Sequence, residues 1–237
     1  MAFDFDRTND RAGTSSIKWE YRSEHGAVRH WDETSARHGG NRILPMWVAD
    51  MDFRCPEPVV EALVKRARHG VYGYTGRPES YTDAVVGWMR QRHGWTVDPA
   101  TILTVPGIVP TLNMAVRSFI NSGDKVLIQP PVYHPFYRSI TNNGGEIVTN
   151  QLRVREGRYD MDFEDLERKA ADPAVKLAIL CSPHNPVGRV WAADELRRFG
   201  EICQRNGVIV IADEIHGDLI LPGNTFTAYG TLGKAFE

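Results

Sequence analysis

From about residue 55 onward, short apolar runs alternate with amphipathic stretches of helical period, and this alternation limits the possible folds more than any other feature. Lys125–Gln129, Glu146–Leu152, Val175–Cys181 and Val208–Ala212 read as strands, and Thr101–Val105 is a further β-rich run. Val175–Cys181 is almost continuously apolar, as expected of a strand covered on both faces, and Val208–Ala212 is another continuously apolar run. Helical spacing runs over about 55–70 and over Tyr81–His93, Val109–Ile120, Tyr133–Thr141, Asp162–Ala171 and Ala193–Asn206. Pro56 and Pro58 suit a helix start, while Gly70, Gly94 and Gly207 suit helix ends.

Strand–helix–strand repetition predicts an α/β fold: a three-layer, doubly wound, mainly parallel sheet with helices on both faces. Residues 1–45 lack the alternation and read as an N-terminal arm or part of a small domain, with 46–237 as the large domain. In such sheets ligands bind beyond the carboxyl ends of the strands, so chemistry is sought there.

Composition excludes several classes. With 28 basic against 30 acidic residues, the chain offers no overall field for nucleic acid or an anionic membrane. Apolar residues at 42% with a net charge of -2 argue against disorder. No run approaches the ~18 apolar residues of a membrane span, and Met1–Asp10 has no secretory pattern. Cys55, Cys181 and Cys203 are sparse and lack CxxC spacing. They fit a reducing cytoplasm, read as small buried hydrophobes, and suggest no metal site.

Three strand ends carry unusual residues. Pro106-Gly107-Ile108-Val109 opens a helix, whose free N–H groups at Gly107, Ile108 and Val109 can cradle a phosphate. An ordinary strand-to-helix turn has the same pattern. Asp213 follows an apolar strand, where a carboxylate needs a partner or solvent. It can hold a cationic ring nitrogen, cap a helix or join a salt bridge. Asn185, between prolines, can bond a phenolate-like oxygen or a substrate carboxylate, or form an Asx turn. Tyr133, after Pro130-Pro131-Val132, can stack on a planar ligand or pack in the core.

Together these residues resemble the pyridoxal-phosphate enzymes of fold type I, the aspartate aminotransferase-like fold. The resemblance rests on Ser182-Pro183-His184-Asn185-Pro186-Val187-Gly188 followed by Ala212-Asp213-Glu214-Ile215-His216. Within that family the details resemble the carbon–sulfur β-lyase branch, of the cystathionine β-lyase (PatB/MalY) type. The carrying segments are Ser16–Trp19, Leu44–Phe53, Tyr72-Gly73-Tyr74, Gly188–Trp191 and Asp213–Leu219; a general aminotransferase more often has Tyr where His216 stands.

The resemblance implies pyridoxal 5'-phosphate as cofactor, with residues 46–237 as its binding domain. Ile108 and Val109 would offer N–H groups to its phosphate and Tyr133 would stack on its ring. Asn185 would bond the 3′ oxygen, with His216 nearby, and Asp213 would pair with the ring nitrogen. Tyr74 would reach the phosphate of a neighbouring subunit's cofactor, implying a homodimer. Ala49 and Asp50 would lie near the substrate.

The family's Schiff-base lysine is expected on the order of thirty residues beyond Asp213, past Glu237, and Lys234 reads as a surface lysine. The resemblance thus implies an incomplete large domain, a missing C-terminal small domain, and no catalytic residue of the chain's own. The implied activity of the intact protein is cleavage of cystathionine or other S-substituted cysteines to thiol, pyruvate and ammonia. A class I/II aminotransferase is the alternative. A further one is a non-catalytic cofactor-binding or regulatory fragment.

Overall fold

The computed structural model describes residues 4–24, 27–30, 37–38, 41–42 and 44–236. The chain divides into two compact units, residues 1–76 and 77–237.

In the first unit, an antiparallel pair of Tyr21–Glu24 and Ala27–His30 follows a single helical turn, Ile17–Glu20. Asp52 gathers this segment. Its carboxylate accepts from Arg11 Nη1 (2.8 Å), Lys18 Nζ (2.7 Å) and Trp19 Nε1 (2.7 Å). Those donors, Lys18 foremost, hold the Asp52 carboxyl below the usual range. Arg11 also reaches Asp50 (2.8 Å) and Ser16 Oγ (3.0 Å). Two of the motifs separated in sequence, Ser16–Trp19 and Leu44–Phe53, are thereby joined. The helix Glu57–His69 closes at Gly70, as its sequence predicts.

The second unit holds four parallel strands: β1 (Lys125–Ile128), β2 (Glu146–Thr149), β3 (Val175–Cys181) and β4 (Ile209–Asp213), in the order β4-β3-β1-β2. Helices α1 (Glu79–His93), α2 (Ile108–Phe119), α3 (Pro135–Thr141), α4 (Phe163–Ala170) and α5 (Ala193–Arg205) alternate with them. The two-residue period of each strand sorts its side chains. Val126 and Ile128 of β1 and Leu177, Ile179 and Cys181 of β3 pack against α2 and α3, through Leu112, Val116, Phe136 and Ile140. Leu127, Ala178 and Leu180 face the opposite way, onto Leu166 of α4 and Leu196, Phe199 and Ile202 of α5. Both sheet faces are therefore covered, which makes three layers and explains why β3 reads as continuously apolar.

Local sequence sets the helix starts. Asp162 caps α4, its Oδ1 accepting the Asp165 N–H (3.2 Å). Glu195 Oε2 folds back onto the Ala192 N–H (2.8 Å) at the start of α5.

Three expectations are corrected. Thr101–Val105 is not a strand. Pro99–Thr101 form a 3-10 turn capped by Asp98 Oδ1, which accepts from the Ala100 N–H (2.9 Å), and residues 102–105 join no ladder. β-rich composition makes a strand only where a neighbouring chain offers ladder partners, and Leu103 is left 83% exposed. Second, β4 is less buried than its apolar run predicts, because among the described residues it pairs only with β3; Ile209 is 44% exposed.

Third, Cys55 is exposed, whereas Cys181 and Cys203 are buried. Burial pushes each buried thiol up to about 12. In the native protein a thiol reagent at pH 8 is expected to label Cys55 promptly and the other two only after denaturant is added. Mass analysis of the labelled protein checks this.

Candidate active site

The chain leaves β1, winds outward to β2, then returns across β1 to place β3 on its other side and β4 beyond. The reversal lies between β1 and β3, and the carboxyl ends of strands at such a reversal are where sheets of this kind bind ligands. Three of the singled-out residues stand there: Tyr133 after β1, Asn185 after β3, and Asp213 as the last residue of β4. Asp213 pairs in register with Cys181, and its carbonyl accepts the Ser182 N–H (2.9 Å). From β1 to β4 is two strand spacings, about 10 Å.

Helix α2 starts at the same end. It lies alongside α3, with Asn113 Nδ2 donating to Ser139 Oγ (3.2 Å). Beyond their far ends, the Gly123 N–H meets the Gly144 carbonyl (2.9 Å). The two helices are thus parallel, and both begin at the carboxyl end of the sheet. Gly107 caps α2 with a φ of 151°, a conformation other residues rarely take. Neither the Ile108 nor the Val109 N–H has an acceptor among the described residues.

Asn185 is held by its backbone, with its N–H donating to Cys181 Sγ (3.4 Å). Its side-chain amide has no partner among the described residues. The loop behind it is folded tightly. The His184 N–H donates to the Arg189 carbonyl (2.8 Å), and the Gly188 N–H to the His184 carbonyl (2.8 Å). Trp191, fully buried, donates from Nε1 to the Cys181 carbonyl (2.9 Å). Its ring meets His184 edge-on at 5.6 Å and Arg189 at 4.5 Å.

Asp213 is buried with one local donor, the Ile215 N–H (3.2 Å), so burial pushes its carboxyl up. Beside it, Glu214 is pushed up to about 7, chiefly by burial; its Oε1 accepts the Tyr229 N–H (2.6 Å). His216 follows in a turn closed by the Leu219 N–H on its carbonyl (2.9 Å). Close approach of the Phe226 ring leaves no room for a Cβ at Gly217, which a methyl group would meet at 2.9 Å. Asp218 anchors this turn to α1 through Trp88 Nε1 (2.9 Å) and His93 Nε2 (3.1 Å).

The chain therefore presents a buried carboxylate, an amide without a partner among the described residues, an aromatic ring and a helix start at one end of the sheet. The sequence pattern of "Aminotransferase class I and II" matches residues 43–236. The chain belongs to this family. Among its relatives, the Bacillus subtilis protein "Cystathionine beta-lyase PatB" is 48% identical over 232 residues, 98% of this chain and 57% of that one. "Protein MalY" of Escherichia coli is 33% identical, over 92% of this chain and 53% of its own length. Among solved structures, cystalysin from Treponema denticola, which contains a pyridoxal 5'-phosphate cofactor, is 36% identical with a TM-score of 0.88, the match covering 100% of this chain and 57% of that one. The chain thus spans little more than half the length of these relatives.

In this member of the aminotransferase family, Ile108, Val109, Tyr133, Asn185, Asp213 and His216 share one end of the sheet. Tyr74 belongs to residues 1–76 and its side chain is fully exposed. The lysines of the second unit stand elsewhere. Lys125 opens β1 at the amino end of the sheet, paired with Asp172 (2.8 Å). Lys169 is tied to Asp165 (2.8 Å) and to the carbonyl of Thr149 in β2, across the sheet from Asp213. Lys176 and Lys234 are exposed.

Sequence reasoning assigns no role to Glu214, His184 or Trp191. The available signal was an ionisable or indole side chain beside a strand end too apolar to solvate it. His184 is 1% exposed and burial lowers its pKa to about 4. It stays neutral in the fold and charges on unfolding, so its contribution to stability is lost as pH falls from about 6.5 toward 4. Glu214 works in the opposite direction: stability is lost as pH rises from about 4.5 to 7. Each is worth up to ~3 kcal/mol, and between pH 4.5 and 6.5 the two oppose one another. Glu214→Gln is expected to unmask a stability that rises with pH across that window, and His184→Phe one that falls. Urea midpoints at half-unit pH steps read both.

Proposed function

We propose that the polypeptide is part of a cytoplasmic, pyridoxal-phosphate-dependent carbon–sulfur β-lyase, releasing thiol, pyruvate and ammonia from cystathionine or another S-substituted cysteine. The observation carrying this reading is the convergence of Asp213, Asn185 and Tyr133 on neighbouring strand ends, beside the free N–H groups at the start of α2. The names of the Bacillus subtilis relative and of a carbon–sulfur lyase from Staphylococcus hominis, 32% identical with a TM-score of 0.84, support lyase over aminotransferase. Among the described residues no helix is long and apolar enough to cross a membrane.

The residues fit the cofactor on their own chemistry. Asp213 is a buried carboxylate without a cationic partner within hydrogen-bonding reach among the described residues, and a protonated ring nitrogen would supply one. Asn185 has an amide to donate to a ring oxygen. Ile108 and Val109 point N–H groups where a phosphate gains from the helix dipole. Tyr133 offers its ring as a stacking face, and His216 would stand near the ring oxygen.

When bound, pyridoxal phosphate supplies an electron sink for the substrate's Cα carbanion. Asp213 would keep the ring nitrogen protonated, which sustains that sink. Asn185 and Tyr133 would fix the ring plane, so that the Cα–H bond can be held in line for proton removal. Among the described residues of the second unit, Lys125, Lys169, Lys176 and Lys234 all stand away from Asp213, and we assign the proton-transferring role to the remaining length that the relatives possess. Tyr74 would reach the cofactor phosphate of a second protomer in a homodimer. Residues 1–45 would form an arm, and 46–237 most of the cofactor-binding domain.

The test is pyruvate release from cystathionine by the gene product, followed by coupled lactate dehydrogenase. Conversion of the cofactor to its pyridoxamine form without pyruvate would reject the lyase reading in favour of the aminotransferase.

A further inference from the structure

Where β1 leaves the sheet, Gln129 is followed by Pro130 and Pro131. Two consecutive prolines remove the backbone donors that would continue the ladder. The loop must be fastened through its carbonyls instead. The Pro130 carbonyl is bound from the β2 side, accepting from the Leu152 N–H (2.8 Å) and Gln151 Nε2 (3.0 Å). On the β3 side, the Pro131 carbonyl accepts from His184 Nε2 (3.0 Å). A carbonyl only accepts, so the proton of this imidazole sits on Nε2. Nδ1 is then an acceptor, and it is buried with no donor in hydrogen-bonding geometry among the described residues.

That arrangement is costly for a residue that merely fills space. An apolar ring would pack on Trp191 without an orphaned nitrogen. What the imidazole adds is a bond between two loops. One carries Tyr133, two residues past Pro131; the other carries Asn185, next to His184. Within its own loop His184 is already fixed by the backbone bonds to Arg189 and Gly188 and by the Trp191 ring. It is a rigid post to which the proline loop is tied.

We propose that His184 is a positioning residue: its Nε2–H bond to the Pro131 carbonyl holds the Tyr133 loop and the Asn185 loop in one register, so that a stacking ring and an amide donor meet the same planar ligand. The identity of that ligand rests on the cofactor reading above; the tie between the loops does not.

The experiment compares two variants in the 237-residue chain. His184→Phe keeps a ring against Trp191 and removes the donor. His184→Gln keeps a donor at about the reach of Nε2. Segment-resolved amide exchange is expected to quicken about tenfold in His184→Phe over both 129–137 and 182–189. Strands β1 and β3 are expected to keep their protection, and His184→Gln to restore both segments. Quickening confined to 182–189, or a glutamine variant that behaves like phenylalanine, overturns the tie. If the phenylalanine chain does not fold, His184→Asn, too short to reach Pro131, takes its place under the same criteria. Titration with pyridoxal phosphate, read by its near-ultraviolet circular dichroism, is a separate arm. No binding by the unsubstituted chain rejects the cofactor reading, while exchange still decides the tie. With binding, the phenylalanine variant is expected to lose about tenfold in affinity and part of the induced signal.

Discussion

Asp213→Asn is expected to make the chain more stable and at the same time to strip it of affinity for pyridoxal phosphate. Asp213 is 7% exposed, and among the described residues its carboxylate has a single local donor, the Ile215 N–H (3.2 Å), which only partly offsets burial. Its raised pKa means that folding at neutral pH carries the cost of a poorly compensated buried charge. Asparagine keeps the shape and an oxygen for the Ile215 N–H, and removes the charge. A gain of about 1 kcal/mol, or a few degrees in Tm, follows. The same change deprives a cationic ring nitrogen of its counter-ion, so affinity is expected to fall at least tenfold, by roughly 1.4 kcal/mol or more. Thermal unfolding with and without the cofactor reads both signs in one experiment. A variant that is destabilised without ligand would show that the carboxylate serves the fold rather than a ligand.

Trp191→Ala is expected to have the largest effect on stability. The side chain is wholly buried and among the largest in the core. Truncating a buried tryptophan typically costs 3–5 kcal/mol, so ~4 kcal/mol is expected from lost apolar burial and the cavity together. The Cys181 carbonyl also loses its donor at 2.9 Å, and His184 and Arg189 lose the ring they pack on. An unpaired buried carbonyl adds about 1 kcal/mol or more. The urea midpoint should drop accordingly, and Tm by roughly 10 °C. Trp191→Phe refills most of the space without restoring the hydrogen bond. Its expected loss is less than half as large, which separates cavity from hydrogen bond. Equal losses in the two variants would show that the N–H bond, not the volume, holds the loop.

The sheet was legible because period and apolarity act locally. Val175–Cys181 had to be covered on both faces, and the strands and helices follow at nearly the expected bounds. Thr101–Val105 was misread because β-propensity says nothing about whether a ladder partner stands beside a run. Cys55 was misread because burial belongs to the packing around a residue, not to its type.

The strand ends were legible for a related reason. Asp213, Asn185 and Tyr133 are polar or aromatic residues at positions where the preceding run is apolar, so each stands out without knowledge of its neighbours. His184 and Glu214 did not stand out in that way, since their meaning lies in their partners: a proline carbonyl fifty-three positions earlier and the Tyr229 N–H fifteen positions later. By itself the amino-acid sequence determined the layers, the direction of the strands and which residues reach the carboxyl ends, because these follow from backbone period and local solvation. Tertiary structure alone decided that β3 lies beside β1 rather than β2, that two loops share one imidazole, and that Asp213 is left with too few donors. Strand order, loop-to-loop bonds and unmet charge depend on which distant segments meet, and no local pattern encodes that.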